Sequence, residues 1–174
     1  MVIKLKDLLL EATGDKLYRK DDLDYIRNLF NAALKNGSVK TKGADKLEYT
    51  SLSKSRNGWF TYTGLDIVFN RNELGKLNNL IDIKYDYDTM KNNPKIFHHV
   101  INNNMSIEQY FKVEKIKSIS EFNKAFKDYY GQEKEILAPN PMKVNIKCID
   151  SIEVPKFVKK EFQKYEKHFN IIYQ

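Results

Sequence analysis

Leu23, Ile26, Leu29, Phe30, Ala33 and Leu34 recur at the spacing of one helix face. Asp21 and Asp22 stand before this run to cap it and Asn36-Gly37 stands after it to end it, so the spacing predicts a helix here. The segments that follow change period. Residues 46–53 read as a strand, and in residues 65–70 the alternation of Leu65, Ile67 and Phe69 predicts another. A well-capped helix set among period-two segments, with no repeat and no low-complexity linker, constrains the chain to an α+β single domain. Its expected form is a mixed or antiparallel sheet flanked by helices. With 174 residues there is room for one domain with a real core and hardly for two.

Further along, Ile81, Ile83, Tyr85 and Tyr87 alternate with Asp82, Lys84 and Asp86 and predict a strand over 81–87. A short helix carrying Ile96, Phe97, Val100 and Ile101 is expected after Pro94. Residues 106–117 read as extended. Ser118 or Ser120 then caps a helix with Phe122, Ala125, Phe126 and Tyr129, which Gly131 ends. Residues 144–149 read as a strand, Pro155 as the first turn of a helix to about Lys167, and residues 169–173 as a strand that closes the sheet.

The chemistry the chain can hold is narrowed by what it lacks. It has no Gly-rich phosphate loop, no Cys-x-x-Cys pair and no His-Glu-x-x-His helix. Its one cysteine, Cys148, lies among Val144, Ile146 and Ile149 and reads as a buried strand residue; a disulfide framework is excluded. His98 and His99 are adjacent, which on a helix points them about 100° apart, so they read as surface or interface residues and not as a metal pair. Asp82, Asp86 and Asp88 read as a solvated face, and no metal is expected. Lys and Arg number 30 against 23 Asp and Glu, a formal net charge of +7 that implies weak attraction to nucleic acid. A lysine-rich solvated surface accounts for the same excess, and Lys156, Lys159, Lys160, Lys164 and Lys167 read as the outer side of a helix.

Residues 1–11 form a separate unit. Val2, Ile3, Leu5, Leu8, Leu9 and Leu10 alternate with Lys4, Lys6 and Asp7 as a short amphipathic helix, too short and too charged to span a membrane and without a secretory cleavage site. Leu9-Leu10-Glu11 followed by Ala12 resembles the site cut by the prohead protease of T-even-like tailed phages, and the stretch before it resembles their capsid-targeting sequence. The resemblance implies a protein packaged in the phage head, trimmed between Glu11 and Ala12, and delivered with the DNA into the host cytoplasm. Domain boundaries at 1–11 and 12–174 follow from it. The other reading is an N-terminal helix that packs on its own domain.

Within 12–174 a second constellation stands out. Leu17-Tyr18-Arg19 comes first, then the helix that ends at Asn36-Gly37, then Tyr49-Thr50-Ser51-Leu52-Ser53, and much later Ser106-Ile107-Glu108. This order is similar to the Arg-Ser-Glu class of ADP-ribosyltransferases: an aromatic-plus-basic strand, a helix closing on Gly, a strand with a Ser/Thr-Ser-x-Ser run, and a late strand bearing a glutamate. The resemblance implies an ADP-ribosyltransferase-like fold, NAD as cofactor, and a host macromolecule as acceptor. It assigns Arg19 to a phosphate or ribose of NAD, Ser51 and Ser53 to orientation of the nicotinamide ribose and the acid, and Glu108 to the ribose 2′-hydroxyl and the developing cation. Tyr18 and Thr50 complete the cofactor-binding set, and Tyr49, Trp59, Phe60 and Tyr62 would supply a stacking wall. The sequence departs from the family pattern at two places. Lys20 and Asp21 replace the small residues that often follow the basic one, and Ser106 stands where transferases often carry Glu or Gln, a position that usually engages the acceptor. The alternative is a non-enzymatic, basic internal head protein that binds DNA or a host enzyme. Its DNA candidates are Lys54, Arg56, Trp59, Phe60 and Tyr62, although Arg56-Asn57-Gly58 also reads as a plain hairpin turn.

Overall fold

The computed structural model describes residues 15–41, 48–55, 65–131 and 135–174. The targeting-like segment 1–11 and the stretch Arg56–Tyr62 therefore lie outside the described residues. In chain order the elements are β1 (Lys16–Asp21), α1 (Leu23–Asn36), β2 (Ser38–Thr41), β3 (Tyr49–Ser53), β4 (Leu65–Asn70), α2 (Arg71–Leu77) and β5 (Ile81–Asp82). Four helices follow: α3 (Tyr87–Asn92), α4 (Pro94–Ile101), α5 (Ile107–Val113) and α6 (Ile119–Tyr130). The chain ends with β6 (Glu135–Pro139), β7 (Met142–Asn145), β8 (Ile149–Val154), the short α7 (Lys159–Phe162) between 3-10 turns, and β9 (Asn170–Tyr173).

The α+β expectation holds. A seven-stranded sheet has the order β5-β6-β3-β1-β4-β8-β9, and β2 pairs with β7 beside it. All described strand pairs are antiparallel except β8 with β9, which makes the sheet mixed. The helix at 23–36 forms for the reasons its sequence gives. Asp22 accepts from the Tyr25 backbone N–H at 2.7 Å, and Gly37 takes φ +71°, a conformation that costs glycine no Cβ clash. Ile26, Leu29 and Phe30 on its buried face pack with Leu17, Leu52, Ile67 and Ile152 of the sheet, and Ala33 is buried as well. Phe30 also stacks on Phe169 with ring centroids 4.1 Å apart.

A second core lies on the other face at the β6 end, where α3 to α6 bury Met90, Phe97, Ile107, Phe122 and Phe126 against Leu137. Strand β6 belongs to both cores: Ile136 and Ala138 point into the first and Leu137 into the second.

Several expected elements differ. Residues 106–117 are not extended, because Ser106 and Gln109 make a reciprocal capping box that starts α5. The strand expected over 81–87 stops at Asp82, since Asp86 accepts from the Thr89 N–H at 2.7 Å and starts α3. Residues 144–149 divide into two strands about a 3-10 turn, Ile146–Cys148, in which Cys148 is buried. The C-terminal helix is broken into short turns, and Asn170–Tyr173 does extend the sheet, as its edge strand.

Candidate functional site

Alternation along β3 sends Thr50 and Leu52 to the α1 face of the sheet, and Tyr49, Ser51 and Ser53 to the other. Register places Ser53 opposite Glu135, Ser51 opposite Leu137 and Tyr49 opposite Pro139. On the other side of β3, Tyr18 is opposite Ser53, so Tyr18 and Lys20 share the serine face while Leu17, Arg19 and Asp21 point toward α1. One face thus gathers Tyr18, Lys20, Tyr49, Ser51, Ser53 and Glu135 from three adjacent strands.

At the centre of that face, Ser51 Oγ lies 2.8 Å from His99 Nε2, and the same nitrogen lies 3.5 Å from Glu135 Oε1. The His99 and Glu135 side chains are only 6% and 5% exposed. Helix α4 brings His99 here because Ile96 and Phe97, on the same short helix, anchor it in the second core. The edge of the imidazole meets Tyr49, with centroids 5.8 Å apart and planes at 87°. Of the two readings of His98 and His99, surface or interface, the surface one fails for His99, whose side chain is enclosed between α4 and β3. Ser53 is held in the turn leaving β3, donating to the Ser55 carbonyl at 2.7 Å and accepting from the Ser55 N–H at 3.1 Å.

A cleft of about 670 Å³ opens against Glu135, with Lys84, Tyr85, Lys127 and Asp128 among its lining residues. It gives a carboxylate that the sheet otherwise buries a route to solutes. The triad is not a serine nucleophile relay, which needs the carboxylate on Nδ1 and the serine on Nε2. Here both approach Nε2, and Nδ1 is buried without a partner among the described residues. What the arrangement can do is hold a negative charge and oriented hydroxyls beside a bound group, the requirement for stabilising a developing cation.

The site residues expected from the sequence do not converge as a set. Ser51 sits at the centre, and Tyr18, Tyr49 and Ser53 share its face, but Thr50 and Arg19 do not. Arg19 is ion-paired to Asp21, Nε to Oδ2 at 2.5 Å, and lies over the Tyr25 ring at 4.8 Å. Its Nη1 is buried with no hydrogen-bond partner among the described residues. Burial pushes the Asp21 carboxyl above the ordinary aspartate range and outweighs the lowering by Arg19. Glu108, expected on a late strand, is in the first turn of α5, exposed. Bonds from its own backbone N–H and from Ser106 hold it below the ordinary glutamate range.

Glu135 and His99 escaped the sequence reading. A signal for Glu135 was present: Glu133-Lys134-Glu135 has an acid two residues before the glutamate, the feature that Ser106 lacks relative to Glu108. No comparable signal marked His99, whose place depends on how α4 lies over β3.

Among the described residues no group of three His, Cys, Asp or Glu could hold a metal ion, and no helix is long and apolar enough to cross a membrane. Of the DNA-binding candidates, Lys54 is within the described residues and is ion-paired with Asp82. Comparison of the chain with family models, with curated proteins and with solved structures returned no match.

Proposed function

We propose that this protein cleaves the nicotinamide-ribose bond of NAD in the manner of the Arg-Ser-Glu ADP-ribosyltransferases, with Glu135 as the glutamate. The observation that carries the reading is the pairing of β6 with β3: a late strand begins with a buried glutamate directly across from the Ser51/Ser53 strand. The family order of basic strand, helix closing on Gly, serine strand and glutamate strand is then complete, with β3 lying between β1 and β6. Glu135 carries the negative charge that favours the oxocarbenium-like state. Ser51 orients the ribose, and the cleft at Glu135 admits the acceptor.

Two assignments change with the glutamate. Arg19 braces β1 against α1; β1 carries Lys16 and Lys20 on the serine face, and while Lys16 is paired with Asp150 at 3.1 Å, Lys20 lies a looser 3.9 Å from Asp66. Lys20 therefore takes the phosphate-holding role. Glu133 supplies the acid two positions before the glutamate, so transfer to a host macromolecule and not only hydrolysis is the expected reaction. The likeness of residues 1–12 to a capsid-targeting sequence supports packaging in a phage head and action in the host cytoplasm after injection.

Calorimetric titration of the full chain with NAD, together with an assay of nicotinamide release, tests this. Nicotinamide release should fall by about a hundredfold or more in Glu135→Gln and survive in Glu108→Gln. No heat and no release at millimolar NAD in the wild type would sink the reading in favour of a binding protein. Loss in Glu108→Gln with retention in Glu135→Gln would move the glutamate back to α5.

A further inference from the structure

His99 has no counterpart in the Arg-Ser-Glu pattern, yet it touches both residues on which the proposed chemistry depends. Its two nitrogens are unequal. Nε2 faces two oxygens, Ser51 Oγ at 2.8 Å and Glu135 Oε1 at 3.5 Å, whereas Nδ1 is buried with no partner among the described residues. A neutral imidazole carries one proton, and a buried orphan N–H is rarer in proteins than a buried orphan acceptor. The proton therefore belongs on Nε2, where both oxygens can receive it, and the bare nitrogen is Nδ1. The direction of the Ser51 hydrogen bond follows: imidazole donates and Ser51 Oγ accepts. The hydroxyl hydrogen of Ser51 is then turned away from the ring and left for another acceptor.

We propose that His99 is a positioning residue that, protonated at Nε2, fixes Ser51 as a hydrogen-bond donor to the bound substrate and holds the Ser51 hydroxyl and Glu135 carboxylate in one arrangement. The kinetic half of this proposal rests on the NAD reading above; the hydrogen-bond half does not. Because Tyr49 packs on the imidazole and Ile96 and Phe97 hold its helix in the second core, the ring is kept in place from its own side of the site. The site thus needs no rearrangement of Ser51 as substrate arrives, which is the condition under which a positioned hydroxyl acts on kcat more than on binding.

The test uses the full chain with NAD as the probe. Nitrogen-15 spectra of the wild-type histidines should show His99 with its proton on Nε2 and not on Nδ1. In His99→Leu, kcat for nicotinamide release should drop about tenfold to a hundredfold while NAD affinity stays within about threefold of wild type. His99→Gln, whose side-chain amide can donate from near the Nε2 position, should recover most of the loss.

A proton found on Nδ1 would overturn the proposal. So would His99→Gln as impaired as His99→Leu with affinity lost in both, since that pattern belongs to packing alone. If His99→Leu fails to fold, His99→Gln and the spectra still decide. A wild-type protein inert toward NAD would sink the functional reading, and the spectra would then judge the His99 assignment by themselves.

Discussion

Replacing Glu135 by Gln separates a site glutamate from a structural one, because the two roles predict opposite changes in stability. The side chain is 5% exposed and, among the described residues, its polar neighbour is His99 Nε2 at 3.5 Å. If the pair were a buried ion pair holding the fold, its attraction would be about 5 kcal/mol at an effective dielectric near 20. Breaking it would then cost about 3–5 kcal/mol. If instead the imidazole carries a single proton and donates it to Ser51, as proposed above, no such attraction exists. The carboxylate instead bears a desolvation cost with little in return, and Gln of nearly the same volume removes that cost. The expected result is a protein as stable as wild type or more stable by about 1 kcal/mol, a rise of roughly 2–4 °C in Tm for a chain of this size. Urea and thermal melts at pH 7, followed by circular dichroism, measure it. A loss of about 3 kcal/mol or more would refute the reasoning and make Glu135 a structural ion-pair partner.

Two further perturbations probe the frame around the site. Phe30, fully buried and stacked on Phe169 at 4.1 Å with Tyr165 at 5.1 Å, anchors α1 to the sheet, so Phe30→Ala should cost about 3–5 kcal/mol in urea unfolding. Partial burial raises the Asp82 carboxyl, but Lys54 and Arg71 outweigh it and hold the group below the ordinary aspartate range. A carboxyl depressed in the folded state contributes stability above its unfolded pKa and loses it as pH falls through the folded value. Asp82→Asn should therefore lower the urea midpoint at pH 7 and flatten its decline on acidification toward pH 3, by a modest amount because Asp82 is half exposed; an unchanged acid limb would refute it.

What could be read from the sequence follows the physics of burial. The helix Leu23–Asn36 and the strand Leu65–Asn70 were legible to the residue or nearly so, the first because one face is buried and both caps are local, the second because Leu65, Ile67 and Phe69 alternate. Strand β6 was not legible, since Ile136, Leu137 and Ala138 are buried on both faces and a strand so placed shows no alternation. The glutamate at its first position went unread with it. Residues 106–113 differ for another reason: the Ser106/Gln109 capping box is a local helix-start signal, whereas the resemblance to the family order implies a strand at Glu108. Arg19 was correctly placed on β1, yet facing was set by which side α1 covers, a tertiary fact that local pattern leaves open.

The site lies where the two cores meet, and this makes it sensitive to one core in particular. Helices α3, α4 and α5 have 6, 8 and 7 residues and α6 has 12, lengths at or below those at which isolated helices hold in water. They persist because their rings interlock: Phe122 stacks on Phe126 at 4.7 Å and on Phe111 at 5.2 Å, and Phe126 meets Phe97 of α4 at 6.1 Å. Helix α4 carries His99, so a weakened ring cluster should loosen the imidazole before it loosens the sheet. Phe122→Ala is expected to cost about 3–5 kcal/mol, and the cost should appear as local opening. Amide hydrogen exchange would quicken across 87–130, while β1 and β4, held by six register pairs from Lys16↔Asn70 to Asp21↔Leu65, stay protected. NAD turnover should fall in the same variant although the strand carrying Ser51 remains ordered. Uniform loss of protection across both layers would show that the domain opens as one unit and that β6 transmits the damage from the second core to the first.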